Sequence, residues 1–278
     1  MTLSTEIRQP KVAGMFYPVR RDELEKNIQQ LLAQTRMKTP EGTLVALVSP
    51  HAGYQYSGLT AAHGFHLLTH RTFDTVVIVS PSHREYFDGI SVYYGQAYRT
   101  PLGEMRVAEE LRNELLTNET IIEASDRGHG DEHAIEVQLP FLQTMLDNVN
   151  ILPIVIGDQR RKYCFHLGEK LGSVLKGKNV LLLASTDLSH YHSYEAAQVL
   201  DKIIIDDVSA FDYERLMHDL ETEKAEACGG GPTVAVLLAA KMLGADHVQI
   251  LSHCNSGDVS GDHQRVVGYL SAAIFRTN

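Results

Sequence analysis

Short, β-branched apolar runs recur along the chain, each ending in a polar cluster and most followed by residues with helical spacing. The run 43–49 stops at Pro50, which cannot donate to a β-ladder, as expected of a buried strand. Runs at 75–80, 90–94, 150–156, 179–185, 247–252 and 266–275 read the same way. Helical spacing covers 21–34, 57–68, 104–116, 135–146, 163–175, 193–208, 211–220 and 233–242, with Pro140 expected to kink the fourth of these. Strands alternating with helices predict an α/β fold, because parallel strands need crossover helices. The expected architecture is one domain over residues 1–278, a mixed, mostly parallel sheet flanked by helices on both faces.

Three polar clusters follow directly on predicted strand ends: SPHAGYQYSG, SPSHREYFDG and STDLSHYHSY. In an open α/β sheet the carboxyl ends of the strands border the ligand crevice, so His51, His83, Asp187 and His190 are expected to converge there. A fourth cluster, EACGGGPTVAVLL, places Cys228 just before a glycine run that opens a helix, where free backbone N–H groups favour a thiolate. Two imidazoles and a thiolate suit iron(II), copper or zinc, whereas magnesium and calcium require oxygen ligands. A fifth segment, GDEHAIEVQLPF, sets Asp131, Glu132, His133 and Glu136 at a helix start. They read either as an acid/base group supporting the site, with His133 foremost, or as acidic residues complementing the helix dipole.

Composition removes several function classes. The 278 residues carry 35 acidic against 25 basic side chains, a formal charge of -10, which gives no electrostatic footprint for nucleic acid or an anionic membrane. No apolar run approaches a membrane span, and the N-terminal MTLSTEIRQPKVAGMFYP lacks the core of a secretory signal. Three cysteines without a CxxC pair argue for a reducing, cytoplasmic setting. Cys164 and Cys254 read as small buried hydrophobes. His63, His66 and His70 fall at helical spacing and read as a solvated face, and neither glycine-rich stretch carries a phosphate-loop signature.

The motifs PHAGYQYSG, PSHREYFDGI, DEHAIEVQLPFL, STDLSHY and CGGGPTVAVLL, in this order from AGMFYP to SGDHQRVVGYL, resemble the Memo family and its prokaryotic branch, AmmeMemoRadiSam system protein B. The resemblance implies a fold similar to class III extradiol dioxygenases of the LigB type. It also implies a metal site of His51, His83 and Cys228, with Asp187 and His190 lining the pocket. LigB-type enzymes use a glutamate where Cys228 stands, so ring-cleaving activity does not transfer with the fold. Family context further implies radical SAM and AMMECR-type partners.

The leading functional expectation is a metal-dependent redox or oxygenase-like protein. Its cofactor is iron(II) first, copper or zinc otherwise, with His190 or His133 moving a proton and Asp187 orienting it. The alternatives are a pocket that grips a small molecule, a peptide or a small anion of the phosphotyrosine type without turnover, and a zinc hydrolase. Tyr54, Tyr56, Tyr86 and Tyr191 are candidate aromatic walls.

Overall fold

The computed structural model describes residues 6–35 and 41–277. In chain order the elements are β1 (Ile7–Arg8), α1 (Arg21–Gln34), β2 (Thr43–Ser49), α2 (Tyr54–His66), β3 (Thr75–Pro81), β4 (Ile90–Tyr93), β5 (Ala97–Thr100) and β6 (Gly103–Arg106). Next come α3 (Glu109–Leu115), β7 (Ile122–Ser125), a 3-10 turn (Glu136–Gln138), α4 (Leu139–Met145), β8 (Asn150–Ile156), α5 (Arg161–Val174) and β9 (Val180–Ser185). The chain closes with β10 (His190–His192), α6 (Tyr194–Ser209), α7 (Tyr213–Glu221), α8 (Gly230–Met242), β11 (His247–Asn255), α9 (Ser256–Ser260) and β12 (Val266–Arg276).

The large sheet has four parallel strands at its centre, in the order β2-β9-β3-β8. Antiparallel strands flank them: β12 pairs with β2 and carries β11 and β10, while β4 pairs with β8 and carries β7 in parallel. The central strands read as unbroken apolar runs because both faces are covered, and β3 is buried at all seven positions. Helix α8 packs on β2, β3 and β9 beside α5 and α7, while α2 packs on β2, β11 and β12 beside α1 and α4. One continuous core runs from Val12 to Phe275. The mixed sheet between helical layers is therefore present, with its parallel character concentrated in the middle. No helix among the described residues is long and apolar enough to cross a membrane.

Two local expectations change, and one short strand was not foreseen. The stretch predicted as one helix over 104–116 begins as the second strand of the β5–β6 hairpin, and only Glu109–Leu115 is helical. Met105 is buried between exposed Glu104 and Arg106, a period of two inside a segment whose composition favours helix. Pro140 does not kink a helix, because it stands in the first turn of α4, where its missing N–H costs nothing. The segment after Asp187 runs as the short strand β10 before α6, which Ser193 caps by accepting from the Ala196 amide.

Glu136 anchors the N-terminal arm. Its fully buried carboxylate pairs with Arg8 and accepts from the Lys11 amide (2.8 Å), the Val12 amide (3.0 Å) and the Tyr17 hydroxyl (2.6 Å). Arg8 also donates to the backbone carbonyls of His129 and Glu132. Removing one partner of a buried, hydrogen-bonded pair leaves the other charge uncompensated. Glu136→Ala should therefore lower stability by about 3–5 kcal/mol in urea unfolding. A change under about 1 kcal/mol, the range of an exposed ion pair, would show that the arm does not depend on this carboxylate.

Candidate metal centre

Because β2, β9, β3 and β8 run parallel, their carboxyl ends open on the same edge. His51 follows β2, His83 follows β3 and Asp187 follows β9, while Cys228 precedes α8 in the loop from α7. One ligand atom each from His51, His83 and Cys228 lie within 4.8 Å of one another. His51 Nε2 is 3.1 Å from Cys228 Sγ. The cysteine loop reaches the end of β9 because residue 229 is glycine: a Cβ there would sit 2.2 Å from the Ser185 carbonyl oxygen.

Hydrogen bonding fixes which nitrogen each histidine presents. Ser185 Oγ donates to the Ala134 carbonyl (2.7 Å) and accepts from Gln138 Nε2 (2.8 Å), so its single proton is already committed. It can only accept from His51 Nδ1 at 2.9 Å, which puts the proton on Nδ1 and the lone pair on Nε2. His83 Nδ1 donates to Glu132 Oε1 at 2.9 Å, again freeing Nε2. Glu132 also accepts from the amides of His83 (2.6 Å), His133 (2.8 Å) and Ala134 (2.9 Å). Burial pushes its pKa up, but the hydrogen bond and charge of His83 outweigh this and hold it at about 2.

Burial dominates the remaining electrostatics. It lowers His51 to about 3, with His83 adding to the effect, so His51 is a neutral imidazole. It raises Cys228 well above the usual thiol range, and nearby Asp187 raises it further. The thiolate expected from the helix terminus is therefore not favoured by the protein alone: Sγ receives the Asp187 amide at 3.2 Å, and desolvation outweighs that contact.

The cavity over this cluster has a volume of about 650 Å³ and is lined by His51, His83, His133, Asp187 and His190, among others. Asp187 Oδ1 accepts from the His51 amide at 2.8 Å, and burial raises its carboxyl pKa. The His133 ring stacks on His83 at 4.9 Å and meets His51 edge-on at 5.3 Å, and burial lowers its pKa to about 4. The His190 amide donates to Glu226 Oε1 at 3.0 Å, while His192 Nε2 lies 2.8 Å from Glu226 Oε2. His51, His83, His133, Asp187 and His190 thus border one cavity, and Cys228 Sγ lies 3.1 Å from His51 Nε2 at its edge.

Other candidates disperse. Tyr56 and Tyr191 line the cavity, whereas Tyr54 is buried, donating to the Val137 carbonyl, and Tyr86 is exposed beside Asp158. His63 contacts the Leu59 carbonyl, His66 contacts Thr35, and His70 lies beyond the end of α2, so they form no cluster. Asp131 is an exposed partner of Lys11, and Glu136 belongs to the N-terminal anchor. Sequence reasoning missed Ser185 and Gln138. The available signal was a polar residue ending the apolar run VLLLAS and a glutamine inside the apolar stretch before Pro140.

Fold and site together define an α/β protein with two histidines and a cysteine preorganised at the carboxyl edge of its sheet. Residues 8–273 match the family described as Memo-like protein. A MEMO1 family protein of Methanosarcina mazei is 39% identical over 97% of this chain and 99% of its own. Another from Sulfolobus acidocaldarius is 38% identical over 95% and 98%. The chain belongs to the Memo family. The crystal structure of the uncharacterized protein JW3007 from Escherichia coli K12 shares the fold, with a TM-score of 0.55 at 15% identity over 83% of this chain and 99% of that one.

Three buried histidines make folding pH-dependent. His51 and His129 are lowered to about 3 and His133 to about 4, with burial the largest cause in each case. His129 is held by the Tyr98 hydroxyl at 2.7 Å and the Ser91 carbonyl at 3.3 Å. The unfolded chain protonates each near pH 6.5 while the fold keeps it neutral, so the unfolded state binds more protons below that pH. Stability is full above about pH 6.5 and falls toward pH 4. Urea midpoints of metal-free protein should drop across this window, and His129→Gln should flatten the slope by up to about 1.4 kcal/mol per pH unit. An unchanged slope in that variant would remove His129 from the account.

Proposed function

We propose that this cavity is a mononuclear metal centre, with His51 Nε2, His83 Nε2 and Cys228 Sγ as ligands, serving redox chemistry on a small molecule or peptide side chain. The observation that carries the reading is the disposition of donor atoms: both imidazoles spend their Nδ1 protons on fixed acceptors, and their ligand atoms gather with the sulfur within 4.8 Å. The donor set suits iron(II), copper or zinc, with iron(II) taken first for redox chemistry, and not magnesium or calcium, for which nitrogen and sulfur are poor ligands. When bound, iron or copper supplies Lewis acidity and one-electron redox capacity.

The chain's own residues do the rest. Glu132 keeps His83 oriented, and Ser185 with Gln138 keeps His51 in one tautomer. Asp187 holds the His51 backbone and brings a buried carboxyl with a raised pKa to the cavity, suited to retaining a proton. His190, at the cavity wall with Glu226 behind it, is placed to exchange a proton with a bound ligand. Three unpaired cysteines suit a reducing cytoplasm.

A second reading, a pocket that binds an anionic peptide or small anion without turnover, is favoured by Arg84 and Arg265 on the cavity wall. Its test is peptide binding by metal-free His51→Ala protein, which a non-metal site would retain. A zinc hydrolase would instead show zinc and no dependence on dioxygen. The radical SAM and AMMECR-type partners rest on family context.

Elemental analysis of protein purified anaerobically without added metal tests the main reading against a His51→Ala, His83→Ala, Cys228→Ala triple variant. Near-stoichiometric iron or copper in the parent and none in the variant is the expected result, followed by dioxygen uptake or redox cycling of the loaded protein. No metal in either, even after reconstitution, overturns it. Glu132→Gln, which weakens the hold on His83, should reduce metal affinity by about 10–100-fold. Unchanged affinity would make Glu132 a purely structural carboxylate.

A further inference from the structure

The loop from Thr186 to His190 touches both ends of the ligand set, and its own anchorage lies outside the cavity. The Asp187 amide donates to Cys228 Sγ at 3.2 Å, and the Cys228 amide donates back to the Asp187 carbonyl at 3.2 Å. The Asp187 carboxylate accepts from the His51 amide at 2.8 Å. What holds the loop is a clamp around Ser189. Asp201, in α6, accepts from the Ser189 amide through Oδ1 at 2.9 Å. Gly268, in β12, accepts from the Leu188 amide at 2.8 Å and donates to the Ser189 carbonyl at 3.0 Å.

The clamp closes only because residue 268 is glycine. A Cβ there would lie 2.0 Å from Asp201 Oδ2, 2.5 Å from its Cγ and 2.7 Å from Oδ1. Any side chain at 268 would force the carboxylate off the Ser189 amide or the strand off the loop. Asp201 is itself 7% exposed, so its carboxylate is placed by α6 packing rather than by solvent. Helix α6 contributes no residue to the lining of the cavity over the cluster, so Asp201 reaches the site only through the Ser189 amide.

Resting on the metal-centre reading, we infer that Asp201, seated against Gly268, is a positioning residue that sets the hydrogen bond from the Asp187 amide to the Cys228 sulfur. An amide N–H aimed at a ligating sulfur draws electron density from it, so its distance tunes how strongly the sulfur donates to the metal. The acceptor oxygen is what the clamp requires. Asparagine keeps that oxygen and the shape, whereas alanine removes it.

The test compares parent, Asp201→Asn, Asp201→Ala and Gly268→Ala proteins, each checked for native circular dichroism, after loading with cobalt(II) as a spectroscopic probe. The sulfur-to-cobalt charge-transfer band should shift in Asp201→Ala and Gly268→Ala and return to the parent position in Asp201→Asn, an effect that simple loss of packing would not reverse. Cobalt affinity should fall by about tenfold or more in the first two variants, in the range of other residues that orient metal ligands. A parent-like band in Asp201→Ala, or an asparagine variant as perturbed as alanine, overturns the inference, and if Asp201→Ala does not fold, Gly268→Ala decides in its place. Amide exchange at Ser189 in metal-free protein gives a readout that does not depend on the metal. Exchange about tenfold faster in Asp201→Ala than in the parent supports the clamp, and equal exchange rejects it. Failure of the parent to bind cobalt at all would reject the metal-centre reading and the tuning role with it, leaving the exchange result to judge the clamp alone.

Discussion

Two buried carboxylates four residues apart, Glu132 and Glu136, hold together parts of the chain that are distant in sequence. An ionised carboxylate out of water is tolerated only when donors surround it, and each of these has several. Glu136 gathers Arg8, two backbone amides and Tyr17, which pins the arm leading to Phe16 against the sheet edge. Glu132 gathers three amides and the His83 ring. Arg8 links the two through the Glu132 carbonyl. The segment between β7 and α4 therefore acts as a polar plate on which both the N-terminal arm and one histidine are mounted, and Phe16 meets His133 edge-on at 4.9 Å as a result.

Much of this was legible beforehand because it followed from periodicity and strand-end chemistry. The runs at 43–49 and 150–156 coincide with β2 and β8, since a strand buried on both faces has no alternation to blur. The three polar clusters after strands converge as parallel pairing requires. Less legible was whatever depended on partners remote in sequence. Ser185 looks like the mere end of a strand until its proton is seen to go to the Ala134 carbonyl, with Gln138 donating to its oxygen, so that it can only accept from His51. Glu132 and His133 are adjacent and both polar, and only the fold shows that the first directs its side chain to His83 while the second stacks on that ring. The β5–β6 hairpin was hidden for a different reason: GEMR carries good helix formers, and pairing with β5 overrides their propensity.

The same burial that organises the site keeps His51 and His133 uncharged, while Arg84 and Arg265 stand on the cavity wall. His51 and His133 are neutral, the Cys228 thiol and the Asp187 carboxyl both have raised pKa values, and Glu132 is ionised, its charge already shared among donors. Burial thus disfavours the charged forms of His51, His133, Cys228 and Asp187. A divalent cation in the proposed centre would reverse the balance at Cys228, because its field favours the thiolate, and would leave the neutral His51 untouched. On the metal-centre proposal, His51 would ligate without losing a proton, whereas Cys228 would have to lose its own. In the proposed centre the proton released on loading would come from the sulfur, and the Asp187 amide that faces it at 3.2 Å would temper that ligand's strength.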